Sequence, residues 1–167
     1  MRYVTLATLL DIDDIMAIIS AAQKMMASQG SGQWQDGSPS RETILNDIYQ
    51  HHFYVAKDEE EIIGVMAILD FDKDYAHLLT GAWTYKEPYM VIHRFAVKGH
   101  LRGQGVGSFM LQEAETIAKK VSITTIRIDT HDLNTPMISL LNKNGYRACG
   151  TVILEQTKLR TVFEKSI

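Results

Sequence analysis

Cysteine is almost missing from this chain, and basic tracts and long apolar runs are missing altogether. Each gap removes a class of protein. With Cys149 alone there is no internal disulfide, which fits a reducing compartment. Cys149 lies in Tyr146-Arg147-Ala148-Cys149-Gly150, a strand-like setting that suits a buried structural residue. Lys and Arg number 17 against 20 Asp and Glu, and they are scattered. The net charge of −3 and the pI near 6.0 give no general attraction to nucleic acid or an anionic membrane. The N-terminal segment has Arg2 but neither a continuous apolar core nor a small-residue cleavage site, so it does not read as a signal peptide. No stretch approaches the length of a membrane span. Repeats, linkers and low-complexity segments are also lacking. What is present is 167 residues, 46% of them hydrophobic, enough for one globular domain over 1–167 with a sizeable core. The expectation is a soluble, cytoplasmic protein.

The densest signal is Arg102-Gly103-Gln104-Gly105-Val106-Gly107-Ser108, between an apolar strand-like stretch (89–97) and an amphipathic helix-like stretch (106–119). Alternate glycines let a backbone turn sharply and lie close against a ligand. The helix that follows turns its unpaired first-turn N–H groups and positive dipole end toward the loop. Arg102 adds a full charge. Such a loop cradles phosphate oxygens. A Walker-type loop is excluded, because no Lys follows any of these glycines. A dinucleotide fingerprint fits poorly: the spacing is Gly-x-Gly-x-Gly, and five residues, Lys98 to Arg102, separate strand from glycine. A pyrophosphate loop of the Arg-x-x-Gly-x-Gly kind fits as written.

The remainder reads as a mixed chain. Residues 2–7 alternate as a strand, and Thr8 with Asp11 resembles a capping box. It opens a helix whose inward face is Ile12, Ile15, Met16, Ile19, Ala22 and Met26. A second helix starts at Ser-Pro-Ser-Arg-Glu (38–42), with Ile44, Leu45 and Ile48 inward. Residues 52–57 and 61–69 form a hairpin. Residues 71–86 are a long connection bearing Tyr75 and Trp83, and Asp70, Asp72 and Asp74 read as a solvated turn. Residues 124–129 are a strand, Asn134-Thr135-Pro136 caps a helix that Asn144-Gly145 ends, and 148–154 with 159–163 close the chain as a pair of strands. The order is β-α-α-β-β-β-α-β-α-β-β.

On these residues the chain resembles the GNAT superfamily of acetyl-CoA-dependent N-acetyltransferases. His93-Arg94-Phe95-Ala96-Val97 is similar to the superfamily's fourth strand. Asn134-x-x-Met137-x-x-Leu140-Leu141-Asn142-Lys143-x-Gly145-Tyr146 is similar to its fourth helix and Gly-aromatic end. Gln33-Trp34-Gln35-Asp36-Gly37 and Asp129-Thr130-His131 resemble a bacterial subgroup without a defined acceptor. The resemblance implies an α+β class, the GNAT acyl-CoA N-acyltransferase fold, with a mixed, mostly antiparallel sheet of about seven strands and about four helices.

It further implies acetyl transfer from acetyl-CoA to a primary amine, by direct attack in a ternary complex. The pyrophosphate would lie on the backbone of Arg102, Gly103, Gln104, Gly105, Val106, Gly107 and Ser108. The pantetheine arm would run along Phe95, Ala96 and Val97, with the thioester oxygen at an N–H near Phe95. Asn134 and Met137 would also touch coenzyme A. His93 is the first candidate for a general base, since regular strand alternation puts it on the face of Phe95 and Val97. His131, following Asp129 at a strand end, is the second. Asp129, His131 and Asp132 invite a metal, but no second cluster has ligand spacing, so none is expected. Leu141 stands where many family members carry a tyrosine as general acid. A thiol pKa of about 8.5 makes the thiolate a fair leaving group unaided. Trp34, Asp36, Tyr75 and Trp83 would line the acceptor site, aromatic walls and a carboxylate suiting an amine cation, although each tryptophan equally suits the core edge. The acceptor would be a small-molecule or peptide amine, with no nucleic acid or membrane partner, and the terminal strands offer an edge for a homodimer. A non-catalytic acyl-CoA-binding or sensing module is the alternative that Leu141 leaves open.

Overall fold

A computed structural model of the protein describes residues 1–86 and 88–167. These residues form four α-helices and eight strands. In chain order they are β1 (Arg2–Leu6), α1 (Ile12–Ser28), α2 (Arg41–Tyr49), β2 (Phe53–Asp58), β3 (Glu61–Leu69), β4 (Thr80–Gly81), β5 (Met90–Val97), α3 (Val106–Lys120), β6 (Thr125–Thr130), α4 (Thr135–Lys143), β7 (Arg147–Leu154) and β8 (Lys158–Ser166). The class is α+β, as expected. The order differs from the one read in the sequence only by β4, a two-residue strand too short to carry a periodicity. No helix among the described residues is long and apolar enough to cross a membrane.

Contacts gather into two compact units, Met1–Ile68 with Arg94–Glu113, and Leu69–His93 with Ala114–Ile167. In the first, β2 pairs antiparallel with β1 and with β3, and a register shift falls at Ala56/Lys57. Residues 62–68 of β3 are buried without a break, the pattern of a strand covered on both faces. The 3-10 turn Leu9–Asp11 that leads into α1 is tied down at Thr8, whose N–H and hydroxyl both donate to the Asp11 carboxylate at 2.8 Å. The helix then buries Ile12, Ile15, Ile18, Ile19, Ala22 and Met26, a face of helical period. Ser40 caps α2 by accepting from the Thr43 N–H at 3.2 Å. Its buried residues are Ile44, Asp47 and Ile48, so a carboxylate sits beside the two isoleucines that the sequence marks as inward.

In the second unit β8 pairs antiparallel with β6 and β7, β4 lies antiparallel to β7, and β6 runs parallel to β5 over Met90–Ile92. Tyr75, Tyr89, Val91, Val152 and Val162 form a buried cluster with Trp83 and Cys149 packed against it. Asn134 caps α4 through the Met137 N–H at 3.4 Å, and Gly145, at φ +83°, lets the chain leave the helix.

Candidate active site

After β5 a single 3-10 turn at Gly99–Leu101 leads into the glycine run. Gly103 and Gly105 hold φ +77° and +80°, the left-handed region that costs a residue with a Cβ. A Cβ built on Gly105 would meet nothing within 4 Å. The space above the loop is therefore open, and the backbone alone demands glycine there. The Gln104 side-chain amide folds back to donate to the His100 carbonyl at 2.9 Å, and Arg2 donates to the Gln104 carbonyl at 3.3 Å. The Phe109 N–H bonds back to Gly105 O at 3.0 Å. Ahead of it, Val106 and Gly107 belong to the first turn of α3, where a helix has no internal carbonyl for its N–H groups. Left-handed glycines, open space and a helix start are what a pyrophosphate needs. Arg102 is placed differently from expectation: its guanidinium points at the Met25 sulfur on α1, and burial pulls its pKa below the ordinary range.

The strand before the loop is irregular. Arg94 has φ +53° in the middle of β5. A left-handed non-glycine residue costs about 1–2 kcal/mol and interrupts the alternation of a strand in the manner of a bulge. This corrects the argument that His93 shares a face with Phe95 and Val97, since a period of two does not carry across Arg94. Phe95 and Val97 are half-buried and Ala96 is buried. The Arg94 side chain reaches Asp47 on α2, Nε to Oδ2 at 3.1 Å.

In the second unit His93 stands between two carboxylates. Its Nε2 lies 2.7 Å from Asp72 Oδ2, and its Nδ1 lies 3.5 Å from Asp129 Oδ1. The Tyr75 hydroxyl donates to the same Asp129 oxygen at 2.6 Å. Burial alone would raise the Asp72 carboxyl, but the hydrogen bond and charge of His93, with the Asp74 N–H and Lys73, hold it below the usual range. Tyr75 is pushed well above a normal phenol, first by burial and then by the charge of Asp129. Two expectations are corrected here. Asp72 is a half-buried partner of His93 rather than part of a solvated turn. Tyr75, at 0% exposure, is core and does not wall an acceptor pocket. Asp72 carried a faint signal, an Asp two residues before another N–H-bearing turn position, because its carboxylate accepts from Asp74 N–H at 2.9 Å.

The other candidates are spread out. Trp83 is half-buried, donates its indole N–H to Tyr75 O at 2.8 Å, and stacks on the Arg127 guanidinium at 4.1 Å. Tyr89 covers the guanidinium too, at 3.9 Å. Trp83 is thus anchored at the edge of the buried cluster. Trp34, at φ +61°, and Asp36 lie in the loop before α2, where the Asp36 carboxylate accepts from Ser38 N–H at 3.1 Å. Nδ1 of His131 lies 2.8 Å from Asp132 Oδ1 and 3.1 Å from the Leu133 N–H, which ties the ring to its own turn. Asn134 is buried at the cap of α4, and Met137 is half-buried one turn on. Both belong to the second unit, whereas the glycine loop belongs to the first. Leu141 is fully buried, and Tyr146 is buried with its hydroxyl on Glu115 at 3.3 Å. Burial, then the Glu164 charge, pushes the Cys149 thiol up to about 12, which rules out a ready thiolate nucleophile. Among the described residues no group of three or more His, Cys, Asp or Glu could hold a metal ion.

The sequence profile of the acetyltransferase (GNAT) family matches residues 19–146. The uncharacterized N-acetyltransferase YesJ of Bacillus subtilis (strain 168) is 28% identical over 142 residues, covering 84% of this chain and 78% of that protein. A GNAT-family acetyltransferase from Streptococcus agalactiae 2603 has a crystal structure that superposes with a TM-score of 0.90 at 30% identity, over 99% of this chain and 95% of that one. PaiA N-acetyltransferase from Thermoplasma acidophilum, solved in complex with coenzyme A, shares the fold at a TM-score of 0.74 and 19% identity, over 100% of this chain and 99% of its own.

Proposed function

This chain belongs to the acetyltransferase (GNAT) family and is an acetyl-CoA-dependent acyltransferase, and we propose that it acetylates a primary amine by direct attack in a ternary complex. The glycine loop at the start of α3 carries the proposal. Its left-handed glycines leave room for phosphate oxygens, and the first turn of the helix supplies N–H donors and a positive dipole end. The backbone of Arg102–Ser108 would hold the pyrophosphate, and Phe95, Ala96 and Val97 the pantetheine arm. Asn134 and Met137 would give further contacts to coenzyme A. An N–H at Phe95, following the left-handed Arg94, would take the charge that develops on the thioester oxygen.

The acceptor enters as an ammonium ion and must lose a proton first. His93 would take it, with Asp72 and Asp129 holding the resulting imidazolium by charge. His131 is the second candidate for that role. The amine nitrogen then bonds to the thioester carbon, the carbon–sulfur bond breaks with its electron pair leaving on sulfur, and the proton that the nitrogen sheds as the amide forms passes through solvent to the departed thiolate. With a thiol pKa of about 8.5 the thiolate departs unaided, so the apolar Leu141 is compatible with turnover. Trp34 and Asp36 remain the candidates for gripping the acceptor, and residues 1–167 would act as one domain.

Calorimetric titration with acetyl-CoA, beside 3′-dephospho-CoA, NAD and ATP, tests the donor site. Saturable acetyl-CoA binding with the others weaker is the expected result, followed by turnover in an amine screen. Folded, ligand-free protein that does not bind acetyl-CoA would remove the function, and binding with no turnover on any amine would favour a sensing module.

A further inference from the structure

Asp47 occupies the inward face of α2 between Ile44 and Ile48, where apolar residues would be expected, and its side chain is 7% exposed. Its Oδ2 lies 3.1 Å from Nε of Arg94, the residue of β5 that holds φ +53°. A buried carboxylate is costly without a partner. A left-handed non-glycine residue persists only where its surroundings over-determine it. Each feature supplies what the other lacks: Asp47 gains a cation, and the Arg94 backbone gains an anchor through its own side chain. Glycine would adopt the same φ freely but would offer nothing to grip. Both residues lie in the first unit, as do Phe95 and the glycine loop.

We infer that Asp47 is a positioning residue for acyl transfer: by gripping Arg94 it fixes the left-handed turn in β5 that aims the Phe95 N–H at the thioester oxygen. This deepens the function proposed above and rests on its placement of that oxygen near Phe95. Asp47 touches no reacting atom, and its effect reaches the carbonyl only through the set of the β5 backbone.

Acetyl-CoA labelled with carbon-13 at the thioester carbonyl reads this contact without any acceptor. A hydrogen bond to the carbonyl oxygen moves the carbon resonance downfield, so the parent protein is expected to shift it on binding. Asp47→Asn should return the bound resonance most of the way to its free position, while the Kd for CoA stays within about threefold because the pyrophosphate rests on residues 102–108, which include neither Asp47 nor Arg94. Asp47→Asn combined with Arg94→Gly should regain the downfield position, since glycine needs no grip to hold the turn. A parental resonance in Asp47→Asn overturns the assignment, and so does a double variant no better than the single one. An equal loss of CoA affinity overturns it as well, because Asp47 would then support the donor site at large. A parent whose bound resonance does not move sinks the placement of the thioester oxygen and this role with it, while leaving CoA binding as evidence for the loop. Should Asp47→Asn fail to fold in a thermal melt, Asp47→Glu, one methylene longer, replaces it in the same comparison.

Discussion

The loop that opens α3 is built from seven consecutive residues, Arg102–Ser108, whereas the cluster at His93 draws on positions 72, 75, 93 and 129. In the loop the backbone does the work: two left-handed glycines and a helix start present N–H groups, and side chains matter mainly by their absence. In the cluster the side chains do the work, and three segments of the second unit must be in register before His93 has both carboxylates. The first kind of site tolerates drift elsewhere in the fold. The second is as sound as the core that carries it, because Tyr75 is at once a core residue and the donor that fixes Asp129.

That contrast can be broken most sharply at His93. His93→Ala is expected to lower turnover by roughly a hundredfold, the low end for removing an acid–base group, with the Kd for acetyl-CoA unchanged by calorimetry. Equal turnover would remove His93 from the chemistry; a parallel loss of acetyl-CoA affinity would mean the two regions are not separable. A smaller effect, on donor binding rather than on turnover, is expected at Gly105. Forcing a β-branched side chain to φ +80° strains the backbone by about 1–3 kcal/mol, and the new Cβ enters space that is otherwise open. Gly105→Val should therefore weaken CoA binding about 30-fold, a cost of roughly 2 kcal/mol, in protein that still folds. Unchanged affinity would take the loop out of the donor site.

The smallest expected effect belongs to Asp72 and is read as stability. Its folded pKa lies below the ordinary value of 3.8, so the pairing with His93 stabilises the fold above that pH and fades as pH falls through the depressed folded value. Asp72→Asn should destabilise the protein by about 1–2 kcal/mol at pH 7, a few degrees in Tm. The gap between parent and variant should close below pH 3.8. Thermal melts of both proteins across that range check the sign, and a gap that widens in acid would refute the pairing.

How far the sequence reaches follows the same division. The glycine loop, the caps of α2 and α4 and the hairpins are written in adjacent residues, and they appear where the spacing puts them. Side-chain partnerships across the fold are not. Nothing near Asp47 announces that it faces inward, because its cation, Arg94, is 47 positions away in a strand whose left-handed turn has no glycine to mark it. Arg127 sits between Ile126 and Ile128 and by alternation would face solvent; it is buried because Trp83 and Tyr89 roof that side of β6. Asp72 looks like one of three acidic residues on a polar turn until Asp72, His93 and Asp129 are seen together.

The two tryptophans fall one to each unit, Trp34 in the loop before α2 and Trp83 against the Arg127 guanidinium. The molecule thus contains two built-in fluorophores with different surroundings, one on a turn and one stacked on a cation under a tyrosine core. Replacing either by phenylalanine leaves a single emitter, so the melting of one half and the melting of the other become separate optical traces from the same chain.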